Sequence, residues 1–213
     1  MAWPAPQIRI DTKTAILCLT LIAALGLAAG LLTTKQNTLA SQQTFSLGIN
    51  VDTQKLKQVV LQSHLGRATT WGRFSGSPRV VFFGYTFCPD ICPMGLSNVA
   101  DAVDILEQQG LKLNPIFITF DPKRDTPAVL QDYVTSFDGR IVGLTGQEDM
   151  IKALASAFMA FYEVNTDTKD DEYYLIDHTS FIYLVGSNGE VLGYYPETKS
   201  PQDLANAILA DFQ

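Results

Sequence analysis

Two cysteines four positions apart are the residues in this sequence best suited to chemistry. Cys88 and Cys92 lie in the stretch VVFFGYTFCPDICP, residues 80–93, and the third cysteine, Cys18, lies in a distant apolar run. On a helix this spacing puts the two Cα atoms about 6 Å apart, which is within disulfide range. The same spacing can direct two thiolates at one metal ion. The pair is therefore a structural disulfide, a redox couple or part of a metal site.

The elements around the pair favour reactive thiols. The apolar run Val80–Tyr85 is typical of a strand buried on both faces, and a helix is predicted over Pro93–Gln109. A helix N-terminus offers free N–H groups that stabilise a thiolate, the form that binds metals and attacks disulfides. A disulfide across so short a loop would give little loop-entropy stabilisation, which disfavours a purely structural bridge.

The chain has two histidines, and one of them is a candidate ligand. His178 lies in YYLIDHTSFIYLV, at a polar break between two strand-like runs, whereas His64 is predicted to be a solvated surface residue. In a thioredoxin-like sheet the loop before the final hairpin lies beside the cysteine loop, so His178 would face the thiols. Two thiolates and one imidazole suit both Cu(I) and Cu(II), whereas zinc would leave a fourth position to be filled.

Strands and helices alternate along the second half of the chain. The segments predicted as strands are 80–85, 114–120, 140–144, 173–176, 181–185 and 190–195, and the segments predicted as helices are 93–109, 127 onward, 145–161 and 201–211. This order predicts an α/β class with a thioredoxin-like fold, in which helices flank a mixed central sheet. Residues 51–65 are predicted as a short helix or a strand, and residues 66–78, rich in Gly, Ser and Arg, as a hairpin or loop.

The N-terminal part of the chain differs in kind from the rest. Residues 14–34 carry no charge over a length sufficient to cross a bilayer. We therefore expect residues 1–13 as a cytoplasmic N-terminus, 14–34 as a transmembrane anchor, 35–50 as a tether and 51–213 as an exported domain. A cleaved secretory signal is the alternative for the apolar run.

The charge balance excludes one class of partner. The formal charge is −7, and it becomes −9 without residues 1–35, which contain three basic residues and one acidic residue. Such an acidic domain is unsuited to binding the phosphate backbone of nucleic acids.

Several motifs in order resemble one known family. FGYTFCPDICP, FDPKRDTP, GLTG, YLIDHTSFIYL and GSNGEVLGYY, within residues 66–212, are similar to the SCO/SenC family of copper chaperones for cytochrome c oxidase. The resemblance implies that Cys88, Cys92 and His178 bind one copper ion, as Cu(I) or Cu(II), and that the two cysteines form a redox disulfide. The sequence before Trp71 departs most from the family.

The resemblance also implies partners, a location and an alternative activity. The partners would be the copper-site subunit of cytochrome c oxidase and a second copper chaperone. The location would be a bacterial inner membrane with the domain in the periplasm, or alternatively the mitochondrial inner membrane. The chain would deliver copper to the dinuclear copper centre or help it mature. The alternative is a thiol–disulfide oxidoreductase that reduces the cysteines of the same subunit.

Four charged residues near the motifs are candidates for supporting roles. Asp90 lies between the thiols and could tune their pKa, contact a partner or be a solvated loop residue. Asp177 could orient the His178 ring or point away from it along the strand. Arg124 and Asp125 are predicted to form a salt bridge in the loop near the site. Three aromatic residues, Tyr85, Phe87 and Phe181, are predicted to serve in packing.

Overall fold

The structure, a computed structural model, describes residues 53–165 and 173–212. The predicted cytoplasmic segment, transmembrane anchor and tether, residues 1–50, lie outside the described residues, as does most of the acidic loop 165–172. Within the described ranges, no helix has both the length and the apolar character needed to cross a membrane.

The described elements alternate between strands and helices. They are α1 (Thr53–Leu56), β1 (Val60–Ser63), β2 (Ala68–Thr70), a short 3₁₀ turn (Trp71–Phe74), β3 (Arg79–Gly84), α2 (Ile91–Gln108), β4 (Asn114–Thr119), α3 (Pro127–Thr135), β5 (Val142–Thr145), α4 (Glu148–Ala157), β6 (Tyr162–Val164), β7 (Ile176–His178), β8 (Phe181–Val185), β9 (Val191–Pro196) and α5 (Pro201–Asp211).

Seven of the strands form one mixed sheet. Their spatial order is β2-β1-β5-β4-β3-β8-β9. The three central strands β3, β4 and β5 are parallel, and the outer strands pair antiparallel on either side. The central strand β3 is buried at every position, because a strand in the middle of a covered sheet is shielded on both faces. The cysteine loop therefore begins at the end of a fully buried central strand.

Helices and aromatic side chains cover both faces of this sheet. On one face α2 packs against α5, and Gly95 of α2 lies directly over Phe82. On the other face Phe83 contacts Phe158 and Tyr183 through their rings. The predicted α/β class, with helices flanking a mixed central sheet, is confirmed.

The helix predicted over residues 145–161 is shorter than expected. The capping box predicted from Thr145 to Glu148 does not form, because Thr145 is the last residue of β5 and pairs with Gln62. Gln147 precedes the helix instead, without a side-chain capping bond. At the other end Met159 takes a left-handed conformation with φ of 52°, and this conformation ends the helix.

The residues after that turn form a strand that the sequence pattern did not reveal. Strand β6 pairs antiparallel with β7, so that Tyr162 lies opposite His178 and Glu163 lies opposite Asp177. These two strands form a small sheet separate from the seven-stranded one. His178 is therefore presented by a different sheet from the one that leads into the cysteines.

Candidate metal centre

The two thiols lie where the central strand meets the long helix. Cys88 follows β3 with 8% of its surface exposed, and Cys92, the second residue of α2, is fully buried. Both are free thiols. Their sulfur atoms and a nitrogen of His178 all lie within 4.8 Å of one another. The structure therefore brings together three residues that lie up to 90 positions apart in the sequence.

His178 presents one ring nitrogen to the sulfurs. Its Nδ1 lies 3.0 Å from the carbonyl oxygen of Thr179, and since a carbonyl can only accept, Nδ1 must donate its proton there. Nε2 is the ring nitrogen that faces the thiols, and it lies 3.4 Å from Sγ of Cys92. A backbone carbonyl that fixes the tautomer in this way is a common feature of metal-binding histidines.

The two thiols have opposite pKa shifts because they share a hydrogen bond. The bond from Cys92 lowers the pKa of Cys88 most, burial opposes this effect, and bonds from His178 and from the backbone N–H groups of Asp90 and Cys92 add to it. The pKa of Cys92 is raised by its bond to Cys88, by burial and by the charge on Cys88. The pair therefore loses its first proton from Cys88, at a pH below that of an ordinary thiol.

Gly84 is a site residue that the sequence analysis missed. A Cβ at this position would come within 2.8 Å of Sγ of Cys92 and 3.0 Å of the Phe117 ring. Only a glycine lets the buried thiol lie this close to the end of β3. The signal was available in the sequence, since a glycine ending an apolar strand often marks a close approach.

The predicted salt bridge between Arg124 and Asp125 does not form. The guanidinium of Arg124 pairs with the carboxylate of Asp121 instead. The side chain of Asp125 is fully buried on the side of the loop facing the cysteine segment. The reason is geometric: the turn after β4 points consecutive side chains in different directions, so that neighbours in sequence have different partners.

Asp125 holds the segment that leads to Cys88. Its carboxylate accepts bonds from the backbone N–H of Thr86 at 3.0 Å and from the Thr86 hydroxyl at 2.5 Å. A third bond comes from the hydroxyl of Thr119. Burial raises the pKa of Asp125, and these bonds oppose the shift. Asp125 therefore supports the cysteine loop through Thr86, a partner that the sequence did not indicate.

Arg124 links the cysteine loop to the segment before β7. It donates to the carbonyl oxygen of Tyr174 at 2.9 Å, and its guanidinium lies 3.6 Å from the centre of the Tyr174 ring. The same group lies 4.9 Å from the ring centre of Phe87, which is partly exposed and packs against the Tyr173 ring. These contacts place a positive charge at the rim of the candidate site.

The side chains of the two aspartates beside the ligands are both exposed. Asp177 is exposed and points to the opposite side of β7 from its neighbour His178, because side chains alternate along a strand. Thr179 and Ser180 contact the Nδ1 atom instead. Asp90 is exposed at the start of α2 and makes no side-chain capping bond; only its backbone N–H reaches the Cys88 sulfur.

His64 is buried, contrary to the prediction of a solvated residue. Its Nδ1 accepts from the backbone N–H of Gly143 at 3.0 Å, and the backbone N–H of His64 donates to the Gly143 carbonyl at 2.8 Å. These bonds continue the pairing of β1 with β5, so His64 has a structural role. Among the described residues, Cys88, Cys92 and His178 form the one group of three side chains that could together hold a metal ion.

Comparison with known proteins gives a consistent result. The SCO1/SenC family profile matches residues 52–212. The chain is 41% identical over 129 residues to an SCO2-like protein of Rickettsia felis, covering 61% of this chain and 63% of the relative. It is 34% identical over 150 residues to the human protein SCO1 homolog, mitochondrial, covering 70% of this chain and 50% of the relative.

Solved structures give the same result. The crystal structure of Arabidopsis thaliana ScoI with copper bound is 30% identical, with a TM-score of 0.66 over 72% of this chain and 94% of that one. The chain spans less than two thirds of the length of these two curated relatives, which therefore extend beyond the matched region.

Proposed function

The chain belongs to the SCO1/SenC family, and we propose that it is a copper chaperone for the assembly of cytochrome c oxidase. It binds copper as cargo and passes the ion to the dinuclear copper centre of an oxidase subunit. The observation that carries this proposal is the convergence of Cys88, Cys92 and His178 within 4.8 Å of one another. The copper bound to the related ScoI of Arabidopsis thaliana supports the choice of metal.

The donor set fits copper in both oxidation states. Thiolates are soft ligands that favour Cu(I), and imidazole also suits Cu(II). Cys88 supplies a thiolate readily because its pKa is lowered by the bond from Cys92. One ion bound by both thiolates and by Nε2 of His178 is the stoichiometry that we propose.

The exposure of the ligands indicates how copper would enter and leave. Cys92 is fully buried, Cys88 retains a small exposed area, and His178 is half-buried. An incoming ligand from a donor or acceptor protein therefore reaches the ion from the side of Cys88 and His178. Transfer then proceeds by ligand exchange, in which a partner thiolate or imidazole replaces these two ligands before Cys92.

The sequence and the family support a proposal for the location and the partners. We propose that residues 14–34 anchor the chain in a bacterial inner membrane, with the thioredoxin-like domain 51–213 in the periplasm. The alternative is the mitochondrial inner membrane. The bacterial source of one relative and the mitochondrial designation of another support these two locations. The proposed partners are the copper-site subunit of the oxidase and a copper donor chaperone.

A transfer experiment tests the proposed function. Reduced full-length protein is loaded with Cu(I), freed of excess metal and mixed with the copper-free, reduced copper-site subunit. We expect about one equivalent of copper to bind and then to appear in the acceptor. Copper that stays with the chain in the presence of excess acceptor would contradict delivery, and a chain that binds no copper would contradict the function as a whole.

The asymmetry of the two thiols supports a second candidate, a thiol–disulfide oxidoreductase. The Cys88 thiolate would attack a disulfide in the oxidase subunit, forming a mixed disulfide and releasing one partner thiolate. Cys92 would then attack the sulfur of Cys88 and release the second partner thiolate. The partner gains two electrons, and the chain is left with a Cys88–Cys92 disulfide that a cellular dithiol must reduce again.

This alternative has a distinct test. A Cys92→Ser variant cannot resolve the mixed disulfide, so the covalent complex with the oxidised subunit should accumulate and be visible by non-reducing electrophoresis. The matched Cys88→Ser variant should give no complex, since its remaining thiol is fully buried. Equal trapping by both variants, or by neither, would argue against an attacking Cys88.

A further inference from the structure

Tyr85 touches all three candidate ligands. Its backbone N–H bonds to the sulfur of Cys92, and its carbonyl accepts from the N–H of Cys88 at 3.3 Å. Its ring packs edge-on against His178 with 5.8 Å between ring centres. The sequence pattern predicted only a packing role for this residue. The structure shows that it contacts both the cysteine loop and the histidine strand.

The hydroxyl of Tyr85 holds the edge of the histidine strand. It accepts a hydrogen bond of 3.2 Å from the backbone N–H of Ile176, two residues before His178. In the pairing of β6 with β7, the backbone N–H of Thr179 donates to the carbonyl of Phe161, and that of Asn165 donates to the carbonyl of Leu175. Because the bonding direction alternates along a strand, the N–H of Ile176 points away from β6. It is the phenol that satisfies this outward-facing donor.

The bond matters because β7 is not part of the seven-stranded sheet. Its three residues pair with the three residues of β6, and a two-stranded sheet is marginally stable without packing against the rest of the domain. The buried side chain of Ile176 and the stacking of Tyr162 on Phe120 add apolar contact. A hydrogen bond adds direction, so it can set the position of β7 along its own axis.

We propose that Tyr85 is a positioning residue whose hydroxyl fixes β7 relative to the cysteine loop and thereby determines how tightly the site holds Cu(II). The copper part of this inference rests on the proposed function. Cys92 belongs to α2, and Cys88 lies in the loop that the Tyr85 backbone holds, so loss of the hydroxyl leaves both sulfurs in place. The His178 nitrogen depends on β7, so the same loss broadens its position, and Cu(II), which favours the imidazole, is affected more than Cu(I).

The first test needs no metal. In reduced, full-length protein, Tyr85→Phe keeps the ring and removes only the acceptor of the Ile176 N–H. Hydrogen exchange in peptides spanning residues 173–178 should become roughly 3- to 10-fold faster, as expected for one net hydrogen bond. Unchanged exchange would overturn the inference, whether or not the protein binds copper.

The chain offers a matched control for this variant. Tyr195 is also a buried tyrosine, and its hydroxyl donates to Asp211 at 2.7 Å, away from the three candidate ligands. Tyr195→Phe should lower the overall stability by a similar amount and leave exchange in residues 173–178 unchanged. Equal acceleration in both variants would show a general loss of stability and would overturn the positioning role.

The second test measures copper. Tyr85→Phe should weaken Cu(II) binding roughly 3- to 10-fold and change Cu(I) binding by less than about twofold, while Tyr195→Phe changes neither. The intensity of the thiolate-to-Cu(II) absorption band should equal that of the wild type, since both sulfurs remain in place. Equal weakening of both oxidation states would place the effect on the cysteines and would overturn the inference.

A double-mutant cycle separates action through His178 from any direct effect. In a His178→Ala background the tyrosine hydroxyl has no imidazole to position, so Tyr85→Phe should cause no further loss of Cu(II) affinity. A full additional loss in that background would overturn the inference. A wild-type chain that binds no copper would contradict the proposed function, and the exchange experiment alone would then decide whether the Tyr85 hydroxyl fixes β7.

Discussion

The cysteine loop and the histidine strand are built very differently. The loop joins β3 to α2 in the middle of the seven-stranded sheet, and Cys92 is fully buried there beside Gly84. The histidine ends β7, a three-residue strand of a separate two-stranded sheet. The thiols are therefore part of the rigid core, whereas the imidazole lies on an attached element.

This contrast suggests a division of labour between the ligands. The two sulfurs are preassembled by folding, and they provide what Cu(I) prefers. In the proposed site, the imidazole would add affinity for Cu(II) only while β7 is held against the core. A metal carrier gains from such an arrangement, because the ligand on the less embedded element can leave first when a partner takes the ion. Three predictions test the contrast, and they are ordered by expected effect.

Loss of either thiol should have the largest effect. Cys88→Ser and Cys92→Ser each remove one of two soft ligands, so both should lower the affinity for Cu(I) and for Cu(II) by more than roughly 100-fold. Competition titrations with a chelator for each oxidation state measure this loss. Cu(I) affinity within tenfold of the wild type in either variant would contradict a site based on two thiolates.

Crowding the buried sulfur should have the next largest effect. Gly84→Ala would place a Cβ 2.8 Å from Sγ of Cys92, and such overpacking costs about 1–3 kcal/mol of folding free energy. Because the change lies on the cysteine side, it should weaken binding of both copper states together, unlike Tyr85→Phe. Urea unfolding and copper titration of the same variant measure the two effects.

Gly139 provides the control for this substitution. A Cβ at Gly139 meets no atom within 4 Å, so Gly139→Ala should change neither unfolding nor copper affinity measurably. If Gly84→Ala behaved like Gly139→Ala, the close approach of β3 to Cys92 would have no energetic consequence. The rigid character assigned to the cysteine loop would then be wrong.

The pH dependence of Cys88 should show the smallest effect. Its pKa is lowered chiefly by the bond from Cys92, so it should already be a thiolate at pH 6, and its alkylation rate should stay nearly flat to pH 7.5. An ordinary thiol, with a pKa of about 8.5, gains about tenfold in rate per pH unit over this range. Cys92→Ala removes the donor and should restore that steep dependence.

The rates are measured in reduced, metal-free protein by mass spectrometry of the Cys88 peptide. A steep pH dependence in the wild type would show that the pKa of Cys88 is not lowered. A flat dependence in Cys92→Ala would show that Cys92 is not the main cause, and the bonds from His178 and from the backbone N–H groups of residues 90 and 92 would then account for the shift.

The sequence was sufficient to predict the central architecture and the three residues that the structure brings together. The apolar run of β3, the helix after it and the polar break at His178 are local patterns, and each has a direct physical meaning. The covering of both sheet faces follows from the continuous apolar runs within the central strands β3 and β4.

The sequence was insufficient where side-chain direction decides the outcome. Arg124 and Asp125 are adjacent in the chain, yet one pairs with Asp121 and the other holds Thr86. His64 lies in a polar stretch, yet it is buried against Gly143. Strand β6 was missed because it is short and mostly exposed. Such details depend on contacts between distant segments, which local patterns do not encode.

The most direct test of the central claim is a parallel titration of wild type and His178→Ala with Cu(II) and with Cu(I), using reduced full-length protein. We expect about one equivalent of either ion to bind to the wild type. In the variant we expect Cu(II) affinity to fall by more than roughly 100-fold and Cu(I) affinity to fall by less than about tenfold, with the fold unchanged. Undiminished Cu(II) affinity in His178→Ala would contradict the assignment of this histidine as the third ligand.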